Sequence, residues 1–382
     1  MMAANLISYL VILVLARHLG PADFGGYSAL SSYGLVLAVP AGALQVISTR
    51  HVVAFDTSTL RTASWVGALL ATGTIVASPL LVAVLDVPFL AVVWLAISLV
   101  FTTHVGTFQG LLLGRNALRR LSGLYLVTAS TRLAAVFGGA FLGLSVTGVF
   151  GLLTLAALLT WLAGALWTAD IRRELAFSER LWSELAWSTS SLGAFIAMTN
   201  IDVILARSVL DAHDSGGYAL ASTFGRAMCW GTQFVAILLV PKMQSENRMT
   251  ALRKGMLLIA ALGVTGLAVI AVAPGFWIRL AGGTEYTDFA TLAIACTALG
   301  VMWALVQVSI FSEIGRGRAR LGVLAWIAVV AEMVIVRALP EPTAWLIASV
   351  AAGCALVVVV VGSVPGFHSA GRGERSPDRA LR

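Results

Sequence analysis

The chain has 382 residues, 59% of them hydrophobic and only 11% charged, with a formal net charge of +7. A soluble domain carries roughly 25% charged residues, so a soluble catalytic or binding module is excluded. Its apolar runs are about 17–25 residues long, the length that crosses a bilayer, and the fold class that follows is an all-α polytopic membrane protein.

In chain order the expected spans are 1–16, 27–47, 62–84, 88–113, 121–143, 145–167, 187–207, 217–240, 252–273, 286–311, 320–338 and 342–364. The first has no basic residue before it and no small-residue cleavage pattern after it, so it reads as a spanning helix rather than a signal peptide. It is short for a span, as a start placed too far downstream would make it. Of the 25 Lys and Arg, 19 fall in the even-numbered loops and the C-terminal tail, four (Arg17, Arg207, Arg279, Arg337) in odd-numbered loops, and Arg132 and Arg226 within spans. Basic loops stay in the cytoplasm, which places both termini inside.

The expected organisation is a six-helix bundle over 1–168, a cytoplasmic linker over 169–186, a second six-helix bundle over 187–364 and a disordered cytoplasmic tail over 365–382. The linker region, "TADIRRELAFSERLWSE" from Thr168, mixes charge with Leu175, Phe177, Leu181 and Trp182, as an interfacial helix does. The tail is polar, carries four arginines and has little to bury.

A repeat supports the two-bundle division. "ARHLGPADFGGYSALSSYG" from Ala16 returns as "ARSVLDAHDSGGYALASTFG" from Ala206. Gly25-Gly26-Tyr27 aligns with Gly216-Gly217-Tyr218, and Ser31-Ser32-Tyr33-Gly34 with Ser222-Thr223-Phe224-Gly225. Six spans lie between the copies, so both face the same side, which is the parallel-repeat plan of some transporters. Gly20 stops one helix and Pro21 suits the first turn of the next, with Asp23 at its positive end. In the second copy Asp211 can cap, and Asp214 aligns with Asp23. The paired glycines permit close helix approach, and Tyr27 and Tyr218 are expected at interface depth. The same alignment disposes of two decoys. "DFG" at Asp23 looks like a kinase motif and "DSGG" at Asp214 like a serine-protease loop, but neither core surrounds them.

Four stretches carry a resemblance: "ARHLGPADFGGYSAL"; "FQGLLLGRNALRRLS" from Phe108; "NIDVILARSVLDAHDSGGYALASTFGRAM" from Asn200, with "LVPKM" after it; and "WIRLAGGTEY" from Trp277. They resemble bacterial polysaccharide-biosynthesis proteins, lipid-linked oligosaccharide flippases of the MATE-like (multidrug/oligosaccharidyl-lipid/polysaccharide) superfamily. The resemblance implies two pseudo-symmetric bundles that alternate access to a central cavity. It also implies carriage of polyprenyl-pyrophosphate-linked oligosaccharide across the bacterial inner membrane. The partners it implies are that glycolipid, membrane lipids, and a polysaccharide polymerase with glycosyltransferases. Nucleic acid is not among them.

Ionisable groups inside spans are costly and mark pathways or buried pairs. On the flippase reading, Arg132 and Arg226 meet the pyrophosphate or an acidic sugar, with Asp202 and Asn200 beside them in the cavity and Arg17 and Arg207 on the outer rim. On the alternative reading, Asp202 pairs with Arg226 or Arg132 to hold helices together. Asp202 and Glu332 are candidates for coupling to an ion, and His104 is either a satisfied interior group or a relay. A continuous helix puts Asn200 and Arg207, seven apart, on one face. Gln45, Gln109, Gln233 and Gln307 suit sugar hydroxyls or interhelical bonds equally.

No cofactor and no metal are expected: Cys229, Cys296 and Cys354 are scattered through apolar runs. A Gly-x-x-x-x-Gly-Lys-Ser/Thr loop is absent, which excludes an ATP-driven pump. The rivals are a MATE-type cation-coupled multidrug exporter, whose site favours acids, and a membrane glycan polymerase or ligase. The last is an enzyme that needs a sizeable outer loop, and the longest here is about a dozen residues; the chain is therefore read as a non-enzyme.

Overall fold

A computed structural model describes residues 2–50, 57–170, 181–233, 248–314 and 320–363. Residues 171–180 of the expected linker and the tail from 364 lie outside the described residues. In the first half the helices are α1 (Met2–Leu37), α2 (Val39–Arg50), α3 (Thr57–Val76), α4 (Ser78–Leu85), α5 (Phe89–Gly114), α6 (Leu118–Phe141) and α7 (Val146–Trp167). In the second they are α8 (Leu181–Met198), α9 (Ile201–Val209), α10 (Ala212–Gly231), α11 (Arg248–Val272), α12 (Pro274–Gly282), α13 (Ala290–Ile314), α14 (Arg320–Ala338) and α15 (Ala344–Ser363). A 3-10 helix over Thr284–Phe289 leads into α13.

Eight of these helices or helix runs are long and apolar enough to cross a membrane, or ten if each of two sharply bent pairs counts as one span. Two features separate this count from the twelve expected spans. The first two join in one run, Leu10–Thr49, and the eighth is described only to residue 233.

Helix breaks follow local chemistry. Gly20 sits at φ 68°, ψ 174° inside α1, a left-handed conformation that glycine adopts without Cβ strain, and Pro21 restarts the helix. The α3–α4 pair bends by 56° at a junction where α4 carries a proline in its first turn; the missing N–H and the ring cannot continue the preceding ladder. The α8–α9 pair bends by 43° at Thr199–Asn200. Asn200 donates from Nδ2 to the Ile196 carbonyl at 2.8 Å, a side-chain bond that competes with the helix ladder. This bend corrects the expectation that Asn200 and Arg207 share one helix face.

Polar side chains within the spans are largely satisfied by their own helix. Thr102, Thr103, Thr154 and Thr297 each donate to the carbonyl four residues earlier, so these hydroxyls are not left bare in the apolar layer. His104 is also satisfied, with its ring nitrogens on Ser64 Oγ at 3.0 Å and the Val100 carbonyl at 2.8 Å. The Gln45 amide donates to the Tyr125 hydroxyl at 2.8 Å. The outer walls expose Leu69, Phe141, Val272 and Val330, as a lipid-facing surface must.

Residues from the first, third, fifth, seventh and ninth expected loops meet at one end of the molecule. There His18 contacts the Leu144 carbonyl, Arg17 the Leu280 carbonyl, Arg207 the Leu85 carbonyl, and Tyr286 the Ala16 carbonyl. A core cluster shared by both halves lies at this end and includes Leu15, Phe24, Leu85, Val149, Val203, Tyr218, Ile278 and Tyr286. Other clusters stay within one half: Ala43 to Val66 and Phe108 to Leu124 in the first, Ala194 to Val358 in the second. The halves touch again where α2 runs along α8.

Candidate functional site

The repeated motifs pack on each other. α1 beyond Gly20 runs against α10, and the aligned glycines are the point of contact. A Cβ on Gly25 would lie 2.8 Å from Ser215 Oγ, and one on Gly216 would overlap the Pro21 carbonyl. Asp211 caps α10 by accepting the Asp214 N–H at 2.8 Å. The sequence repeat is thus also a contact between the two halves of the chain.

One helical turn further along α10 lies a buried polar cluster. Asp202 is fully enclosed. Its Oδ2 accepts the Tyr218 and Ser222 hydroxyls, each at 3.0 Å. Its Oδ1 has no hydrogen bond and faces the Arg226 guanidinium at 3.8 Å, beyond hydrogen-bond range. Arg226 Nη2 donates in turn to Ser32 Oγ at 3.4 Å, across to the first half. Of the two pairings open for Asp202, Arg226 and not Arg132 is the neighbour.

Glu332, on α14, is as buried as Asp202, and neither of its carboxyl oxygens has a hydrogen-bond partner. Its helix α14 packs against α9, the helix that carries Asp202. The second half therefore encloses two carboxylates, two hydroxyls and one guanidinium. Among the described residues no group of three or more His, Cys, Asp or Glu could hold a metal ion.

The other expected site residues fall elsewhere. Arg132, on α6, is exposed, and α6 packs against α1; among the described residues Arg132 has no ion-pair partner. Asn200 lies at the α8–α9 bend, with its Oδ1 unpartnered and its Nδ2 on Ile196 and Thr199. Arg17 donates to the Leu280 carbonyl at 2.7 Å. Arg207 makes five hydrogen bonds: Nε to Leu85 O at 2.8 Å, Nη1 to Ala22 O at 3.2 Å and Ser215 Oγ at 3.1 Å, and Nη2 to Asp86 O at 3.2 Å and Asp86 Oδ2 at 3.3 Å.

Tyr218, Ser222 and Ser32 complete the cluster and were not singled out as site residues from the sequence. A signal was present: residues 218, 222 and 226 are spaced by four, a polar stripe down one face of an apolar helix. Tyr218, expected at interface depth, is wholly buried with its hydroxyl turned to Asp202. The acceptors of Arg17 and Arg207 are mostly backbone carbonyls, which no residue pattern reveals.

No protein-family model and no curated protein matches the sequence. Solved structures do match. A multidrug-resistance MATE-family transporter of the MOP superfamily, in its inward-facing conformation, superposes with a TM-score of 0.75 at 12% identity, covering 94% of this chain and 93% of that one. The lipid II flippase MurJ, in an inward closed conformation, gives 0.72 at 10% identity, covering 94% and 85%. A multidrug-resistance MATE-family transporter in its outward-facing conformation gives 0.58 at 14% identity, covering 95% and 91%. These neighbours are transporters and not enzymes. At such identities the likeness concerns architecture, and the chain has the MATE-like fold of a multi-pass membrane protein.

Proposed function

We propose that the chain flips a polyprenyl-pyrophosphate-linked oligosaccharide across the bacterial inner membrane by alternating access between its two halves, for assembly of surface or exported polysaccharide. Arg226 carries this reading. It stands at the seam between the halves, and its side chain is 16% exposed. Its Nε is buried without a partner, and the Asp202 carboxylate is 3.8 Å from Nη2. A planar guanidinium with free donor capacity suits a pyrophosphate. Arg132, exposed and unpaired among the described residues, adds a second positive charge from the first half.

The likeness to MATE transporters and to a lipid II flippase supports transport by two halves through the fold. The cargo is inferred from the arginines and from the sequence resemblance. Asn200 and Asp202 border the same region, and Asp202 with Glu332 couples the cycle to a cation. The glycolipid, the surrounding lipids, and a polymerase with glycosyltransferases are the partners this reading requires.

A second reading rests on the two enclosed carboxylates: a cation-coupled exporter of the multidrug type uses such acids. A deletion strain separates the two. Polyprenyl-linked glycan is extracted and its leaflet assigned with a membrane-impermeant glycan-modifying enzyme. Full-length glycolipid trapped on the cytoplasmic side, restored by the wild-type gene but not by Arg132→Ala with Arg226→Ala, supports the flippase. A normal leaflet distribution with new sensitivity to cationic dyes supports the exporter.

A further inference from the structure

Arg17 and Arg207 occupy matching places in the repeat, and their hydrogen bonds are reciprocal. Arg17, in the first half, donates to the Leu280 carbonyl in the last turn of α12. Arg207, in the second half, donates to the Leu85 carbonyl at the end of α4. α4 and α12 are themselves counterparts: each is short, follows the third long helix region of its half and has a proline in its first turn. The last carbonyls of a helix lack intrahelical partners and carry its negative end, so each guanidinium meets an acceptor that needs it. We propose that this pair is a latch that closes the end of the transporter assigned outward by the charge asymmetry, and releases when that end opens.

The two arms are unequal. A guanidinium has five N–H donors, and Arg207 makes five hydrogen bonds, four of them to Ala22, Leu85 and Asp86 of the first half. Its fifth goes to Ser215 in its own half. No donor of Arg207 is left for a cargo in this state. Arg17 makes one cross-half bond and is exposed. Two further contacts join the halves, the Gly25–Gly216 approach and the bond from the Tyr286 hydroxyl to the Ala16 carbonyl at 3.1 Å. The halves cannot part here without breaking all of these.

The acceptors suit release. Splitting a buried ion pair strands a charge, which is strongly unfavourable. Here the partners are backbone carbonyls, which water can satisfy on opening, and a carboxylate, that of Asp86, already 92% exposed. The charge they enclose in the closed state is that of Arg207, whose side chain is 6% exposed, and water reaches it as the halves part.

The latch depends on alternating access and not on which molecule is moved. The test uses the full chain in lipid nanodiscs, with Cys229, Cys296 and Cys354 changed to Ala and spin labels at two pairs of sites. Ser145→Cys with Glu341→Cys reports the latched end; Asn116→Cys with Lys254→Cys reports the opposite end. Double electron–electron resonance of Arg17→Ala with Arg207→Ala should show the ratio of open to closed at the latched end rising roughly tenfold or more, with the opposite pair drawing together. Arg17→Ala alone should give a smaller shift of the same sign, and it carries the test if the double variant does not fold. Distances at the latched end unchanged in both variants would overturn the latch. A gate that opens as expected in a chain whose deletion leaves glycolipid normally distributed would instead overturn the cargo assignment and keep the latch.

Discussion

Arg226 stands 3.8 Å from Asp202, yet the two serve different neighbours. Asp202 is sealed inside the second half under Tyr218 and Ser222, while Arg226 reaches out to Ser32 of the first half. The guanidinium therefore spans from a fixed internal anion to a surface that must move in any alternating cycle.

Removing either partner should show how strongly they are coupled. Arg226→Ala leaves Asp202 with two hydroxyl donors, whereas Asp202→Asn leaves Arg226 with Ser32 alone. A double-mutant cycle on purified protein, read by thermal unfolding, should give a coupling of about 1–3 kcal/mol. A coupling near zero would make Arg226 a cavity residue only, with no part in holding α9 to α10.

Glu332 has no donor on either carboxyl oxygen and is fully enclosed. A buried charge without a partner costs far more than a buried neutral amide, so Glu332→Gln should leave thermal stability unchanged or raise it by on the order of 1 kcal/mol, while abolishing coupled transport in the glycolipid assay. A marked loss of stability together with normal transport would remove Glu332 from the coupling role.

Much of this arrangement can be read from the sequence, and the unread part has a common cause. Hydropathy marks the spans because a bilayer demands apolar length, and the alignment of Gly25 with Gly216 marks a helix contact because only glycine permits it. Asp202, Arg226 and Glu332 stand out as charges in apolar runs. What the pattern does not contain is rotation and bending: which way Arg226 points, and the turn at Asn200. Those depend on tertiary contacts such as Ser32 against Arg226, 194 positions apart. The carbonyls that hold Arg17 and Arg207 belong to backbone, and every residue carries one.

The close contact at Gly216 gives a sharper test of packing. A methyl there collides with the Pro21 carbonyl, backbone against backbone, while at Gly73 a methyl meets nothing within 4 Å. Gly216→Ala should destabilise by about 1–3 kcal/mol, the range for forced overpacking. Gly73→Ala, in a helix interior, should be neutral or stabilising by about 0.5–1 kcal/mol. Equal Tm values for the two variants would mean that α1 and α10 are not held at this distance.

The bend between α8 and α9 carries the last prediction. Asn200 takes up a φ of −133° with ψ of −18°, outside helical geometry, and its side chain occupies the Ile196 carbonyl. Both features interrupt the helix at Asn200, two residues before Asp202, with α8 ending at Met198. Leucine at this position offers no competing donor and is a better helix former, so Asn200→Leu favours a straight α8–α9 and turns Asp202 away from Tyr218 and Ser222. The lost side-chain bond, worth about 1 kcal/mol, is offset in part by helix propensity, so Tm should change little while glycolipid translocation in the deletion strain falls sharply. Full activity at unchanged Tm would show that the position of Asp202 does not depend on this bend. A large fall in Tm would show that Asn200 serves packing, since the bend would then be needed for folding rather than for the placement of the anion.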